Sequence, residues 1–74
     1  MEKEELLSAI GERIKSLRLE KGLTIETLAY SSDVTFATMS RIEHGKVNAS
    51  IYVLYKISQS LEMELGEMLD IIDK

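Results

Sequence analysis

Two threonines, Thr24 and Thr35, stand eleven residues apart in "LTIETLAYSSDVTFATMSRIEHG", each opening a short run with apolar residues at helical spacing. A threonine in that place accepts a hydrogen bond from a backbone N–H of the first turn and so starts a helix. Between the two starts there is room for only about two turns of helix and a tight connection. Helices that short are held by their neighbours rather than by their own hydrogen bonds, and they must cross those neighbours steeply.

The remaining chain follows the same pattern and contains no proline. Leu6, Ile10, Ile14 and Leu17 recur every three or four residues and predict a first helix over residues 4 to 21, stopped by Gly22 in a left-handed cap. Thr24 then starts a second helix over residues 25 to 31 with Leu28 and Ala29 inward. "SSDV" is a turn in which Asp33 tolerates left-handed backbone and bonds locally. Thr35 caps a third helix that turns Met39 and Ile42 inward and ends at Gly45. "KVNA" is a loop, and Ser50 caps a fourth helix through residue 61, with Ile51, Leu54, Ile57 and Leu61 on one side. A last helix over residues 65 to 72 carries Leu65, Met68, Leu69 and Ile72. The expectation is an all-α, compact five-helix bundle whose second and third helices form a helix-turn-helix. Ala29 is small where those two cross and Val34 plugs the turn. Thr35, Phe36, Ala37, Thr38, Ser40 and Arg41 are left on the outward or partly outward face.

Seventy-four residues with 45% hydrophobic content fit a single domain over residues 1 to 74. With no cysteine, neither a disulfide nor a thiolate metal site staples the fold. No apolar run approaches the roughly 18 residues of a membrane span, and the beginning of the chain is acidic and amphipathic where a signal peptide would be basic and then apolar. The expected location is the cytoplasm, with no membrane partner. The net charge of −4 argues at first against nucleic acid, but its distribution matters more than its sum. Residues 1 to 12 set Lys3 against Glu2, Glu4, Glu5 and Glu12, and residues 57 to 74 set Lys74 against Glu62, Glu64, Glu67, Asp70 and Asp73. Between these acidic ends, Arg13, Lys15, Arg18, Lys21, Arg41, Lys46 and Lys56 outnumber Glu20, Glu26, Asp33 and Glu43. A basic middle permits one anion-facing surface on an acidic chain.

The segments "IGERIKSLRLEKGLT", "LAYSSDVTFATMSRIEHGK" and "NASIYVLYKISQSLEMELGEML", in that order and spacing, resemble the helix-turn-helix family of the phage Cro and repressor proteins, the XRE family of bacterial regulators. The resemblance covers about residues 10 to 69. It implies a lambda-repressor-like DNA-binding domain whose third helix enters the major groove while the second lies across the phosphate backbone. By that resemblance Thr35, Phe36, Ala37, Ser40 and Arg41 fall where relatives read bases or nearby phosphates, with Thr38 close by. Lys46 and Asn48 match a "GK-x-N" pattern that holds phosphates, and Arg18 and Glu43 match a structural salt bridge beneath the DNA-binding surface. Three positions depart from the pattern: Ile25 stands for a glutamine, Asp33 for the turn glycine, and Ala49 for a proline. Ile25 donates no side-chain hydrogen bond, although the free backbone N–H groups behind Thr24 still face a phosphate.

Each residue also has a plainer reading. Arg41 reaches guanine O6 and N7 or a phosphate, or is a solvated cation, or pairs within its helix with a nearby carboxylate. Phe36 packs on a thymine methyl, covers the turn, or meets a partner chain. Capping is the first duty of Thr35, and Lys46 is a phosphate clamp or an idle surface lysine. His44, the one histidine, favours the dipole at the end of its helix, and alone it supports neither metal binding nor catalysis. Glu62/Glu64 and Glu67/Asp70 are more simply solvated than catalytic. Tyr52, Tyr55, Ile71 and Ile72 exceed what one small core needs and mark a homodimer interface that spaces two third helices about one DNA turn apart, roughly 34 Å.

The expected function is therefore a sequence-specific, DNA-binding transcriptional regulator that reads a palindromic operator as a homodimer. It needs no cofactor, metal or small-molecule ligand and is not an enzyme. The alternative is a protein-interaction module of the same fold, antitoxin-like or partner-binding, that meets its partner through Ile25, Tyr30 and Phe36.

Overall fold

The computed structural model describes residues 1 to 71 and contains, in chain order, α1 (Lys3–Glu20), α2 (Ile25–Ser31), α3 (Phe36–Glu43), α4 (Ile51–Ser60) and α5 (Leu65–Met68). No strand occurs among the described residues. Three helix starts follow the capping residues read from the sequence. The side-chain oxygens of Thr24, Thr35 and Ser50 accept hydrogen bonds from the backbone N–H groups of Thr27, Thr38 and Val53, at 3.0, 3.0 and 3.1 Å. Each satisfies a donor that the first turn cannot pair internally. At the start of α1 the Glu2 N–H donates to the Glu5 carboxylate instead, at 3.1 Å.

The helix ends share one device. After α1, α2, α3 and α4 the chain turns through a residue with positive φ: Gly22, Asp33, Gly45 and Glu62, at 70°, 59°, 69° and 59°. The next residue sends its N–H back to a carbonyl in the helix, Leu23 to Arg18, Val34 to Ala29, Lys46 to Arg41 and Met63 to Ser58. This is the Schellman stop, usually accompanied by an apolar residue just beyond the turn. Leu23, Val34 and Met63 fill that role and pack against the core. Lys46 does not; it is exposed.

Ile14, Leu28, Met39, Ile57, Leu61 and Met68 form the fully buried centre, joined by Leu17, Ala29, Ile42 and Leu54. The five helices thus contribute to one core, with α3 packed on both α1 and α2. The α1–α3 crossing depends on Gly11. A Cβ there would strike the Ile42 carbonyl oxygen and come within 2.5 Å of that of Glu43, so the helices approach backbone to backbone.

Four expectations need correction. Leu6 lies at the exposed edge of α1 rather than in its apolar stripe. Ile51 is 64% exposed, because the first turn of α4 projects beyond the core that Leu54, Ile57 and Leu61 reach. The last helix stops at Met68 instead of running to residue 72, and Arg13 caps it by donating to the Met68 and Glu67 carbonyls at 3.2 and 2.9 Å. Asp33 does not bond within its turn; its carboxylate lies 3.7 Å from the Lys56 ammonium on α4. Ile72 lies outside the described residues.

Candidate nucleic-acid interface

What holds α3 in place is a buried ion pair. Arg18 of α1 donates from Nε and Nη2 to the two carboxylate oxygens of Glu43 at 2.7 and 3.0 Å, and from Nη1 to the Leu23 carbonyl at 2.8 Å. Both side chains are almost wholly removed from water. The planar guanidinium matches a carboxylate with two parallel bonds, so the contact fixes orientation as well as distance. It joins the last residue of α3 to α1 and to the chain entering α2. The buried Ser32 hydroxyl, 2.9 Å from that of Ser60, ties the end of α2 to α4.

With Met39, Ile42 and Glu43 facing inward, the opposite side of α3 is open. Phe36, Ala37, Ser40 and Arg41 lie within about 140° of its circumference, at roughly 100° per residue. Phe36 is 53% exposed, Ala37 and Arg41 are exposed, and Ser40 is half-buried. The hydroxyls are not equally free. Thr35 Oγ1 accepts from the Thr38 N–H and donates to Thr38 Oγ1 at 2.9 Å, so the cap consumes its donor. Thr24 and Thr27 repeat this arrangement at the start of α2. Thr24 is exposed there, and the neighbouring Ile25 is half-buried against the core.

The exit of α3 completes the surface. Gly45 turns against α1, where a Cβ would come within 2.9 Å of the Ser8 Cα and hydroxyl, so the positive φ and the close approach both require glycine. His44 Nδ1–H donates to the Ser40 carbonyl at 2.7 Å, closing the last turn. Lys46 and Asn48 follow, both exposed.

The cations of the basic middle divide sharply. Arg18 is buried and Arg13 caps α5. Lys21 pairs with Glu62 at 3.8 Å, while Lys56 lies 3.7 Å from Asp33 and 5.1 Å from the centre of the Tyr52 ring. Arg41, Lys46 and Lys15 keep their charges unpaired by any described acidic residue, and two of the three belong to α3 and its exit. Beyond the pairing of Arg18, the sequence did not reveal which cations are engaged, because the contacts that engage them join residues up to 55 positions apart. Gly11 was equally hidden, being one glycine inside a helix.

A second exposed surface lies on α4. Tyr52 and Tyr55 are 64% and 46% exposed, with ring centres 6.5 Å apart and planes inclined by 21°. Ile51 extends this apolar patch, whereas Ile71, beyond α5, is half-buried. No cluster of three metal-ligating side chains occurs among the described residues. No described helix is long and apolar enough to cross a membrane.

Comparison with known proteins places this geometry. A family model described as helix-turn-helix (HTH_3) matches residues 14–68. The HTH-type transcriptional regulator SlrR of Bacillus subtilis (strain 168) is 42% identical over 62 residues, which make up 82% of this chain and 41% of SlrR. Control protein C.MunI of a Mycoplasma species is 40% identical over 65 residues, 86% of this chain and 88% of that protein. Among solved structures, the restriction-modification controller protein C.AhdI from Aeromonas hydrophila matches with a TM-score of 0.82 at 34% identity, over 84% of this chain and 94% of that one. The chain thus spans less than half the length of SlrR and most of that of C.MunI.

Proposed function

Because the chain belongs to the helix-turn-helix family HTH_3, we propose that it is a DNA-binding transcriptional regulator, and not an enzyme, whose α3 enters the major groove. The observation that carries this reading is the pairing of a rigidly seated helix with free cations. The buried Arg18–Glu43 contact fixes α3, and its outward face and exit present Arg41 and Lys46 with no acidic partner. Arg41 reads a guanine edge or a phosphate. Ser40 and Thr38 contribute hydroxyl contacts, and Phe36 and Ala37 make the apolar ones. Lys46, Asn48 and the first N–H groups of α2 behind Thr24 hold phosphates on either side, with Thr35 contributing through the helix it starts.

We infer further that residues 1 to 74 act as a single domain and that two copies associate through Tyr52, Tyr55 and Ile71, with Ile72 as a candidate beyond the described residues. Such a dimer presents two copies of α3 to a palindromic operator and compensates for the small number of phosphate contacts each copy makes. A cytoplasmic regulator suits this reading. The names "restriction-modification controller protein" and "control protein" among the proteins it matches favour a controller role.

Selection from random duplexes tests the proposal. One sequence should be enriched, and affinity for it should fall steeply with salt as phosphate counterions are released. A protein-interaction role is the second reading, favoured by Tyr30 on α2, which is 88% exposed beside the half-buried Ile25. It replaces the first if no sequence is enriched and Arg41→Ala and Lys46→Ala leave DNA affinity unchanged.

A further inference from the structure

The outward face of α3 is chemically divided along its length. At its start, the Thr35 hydroxyl is consumed by the cap, leaving Phe36 and Ala37 as the exposed side chains of the first turn. The half-buried Thr38 keeps one hydroxyl donor there, and the polar side chains with no partner at all, Ser40 and Arg41, appear only in the second turn. Hydrogen-bond readout is therefore concentrated in the second turn. The first turn offers an aromatic ring and a methyl group to whatever the helix meets.

In a major groove, the apolar feature available to such a pair is the C5-methyl group of a pyrimidine. Uracil and unmodified cytosine lack it; thymine and 5-methylcytosine carry it. We propose that Phe36, supported by Ala37, reads a pyrimidine C5-methyl group, making this regulator sensitive to that methyl at one position in each half-site. This rests on the reading of α3 as the major-groove helix. The free cations Arg41 and Lys46, next along the same helix and at its exit, favour a polyanion over a protein as the occupant of this face.

The test uses the full chain and the duplex enriched by random-site selection. Each thymine is replaced singly by uracil, and each cytosine singly by 5-methylcytosine, with affinities measured for the unsubstituted protein, Phe36→Ala and Phe36→Gln. Burying one methyl group is worth about fourfold in affinity, so a uracil at the contacted position should weaken binding about fourfold, and about fifteenfold when both half-sites are changed. If cytosine occupies that position, methylation should strengthen binding by the same factors. Both responses should disappear in Phe36→Ala. Phe36→Gln, which keeps side-chain length but ends in an amide, supplies the same test if the alanine variant melts early. The proposal is overturned if every single replacement changes affinity less than twofold, or if the response survives both Phe36 variants. An enriched duplex without a methyl response removes this inference alone, whereas failure to enrich any duplex removes the regulator reading with it.

Discussion

The outward faces of α3 and α4 both expose aromatic rings beside a basic residue, yet their cations differ. On α4, Lys56 lies over Tyr52 and near Asp33, so its charge is answered within the molecule. On α3 and its exit, Arg41 and Lys46 have no acidic partner among the described residues. A chain with a net charge of −4 can thus carry a phosphate-facing surface, because the availability of cations decides it and their number does not. On the proposed reading the α3 face meets DNA, and the α4 face, with its cation already engaged, meets a second copy of the chain.

The strongest way to break this contrast is to unseat α3. Arg18→Ala leaves the Glu43 carboxylate buried without its partner, and loss of one member of such a pair costs about 3–5 kcal/mol. On a domain of this size, thermal melting followed by circular dichroism should show a severe loss of stability. DNA binding should fall with it, although Arg18 itself is buried. Undiminished stability in this variant means that the pair is not what seats α3.

On the other face, Tyr52→Ala combined with Tyr55→Ala should weaken self-association by about 2 kcal/mol or more if these rings anchor the interface. Sedimentation at micromolar concentration should shift from dimer towards monomer while the melting temperature changes little, since both rings are exposed. A monomeric mass for the unsubstituted protein assigns the α4 face to something other than a second copy.

Arg41→Ala should cost about 1–3 kcal/mol on the selected duplex and much less on random DNA, the pattern of a base contact. An equal loss on both identifies Arg41 as a phosphate contact. Lys46→Ala should have the smallest effect, weakening binding to all sequences alike and flattening the plot of log affinity against log salt by about 0.9 for each copy bound.

Much of the scaffold was legible in the sequence because it is written locally. A capping hydroxyl at Thr24, Thr35 or Ser50 and a turn residue at Gly22, Asp33 or Gly45 need only their near neighbours, and the structure has each where the pattern put it. Glu62 adopts the same left-handed conformation, but nothing in its residue type announces this. Pairing of Arg18 with Glu43 was legible through family resemblance, and the geometry supplies its two hydrogen bonds and a third from Arg18 to the Leu23 carbonyl. The fate of the other cations was not legible. Arg13 and Lys56 read as contributors to a basic surface, and only the packing of α1 against α5 and of the α2–α3 turn against α4 removes them from it. Lys46 was singled out through family resemblance, and its contrast with the apolar residues that follow the other helix stops appears once all four turns are seen to share one geometry.

The assignment of the two faces is tested most directly by titrating the isotopically labelled protein with its selected duplex and following backbone amide shifts by NMR. The account expects the largest changes at residues 35 to 48 and at the start of α2, with the exposed positions of α4, Ile51, Tyr52 and Tyr55, nearly unmoved. Shifts concentrated on α4, with α3 and its exit unaffected, contradict it.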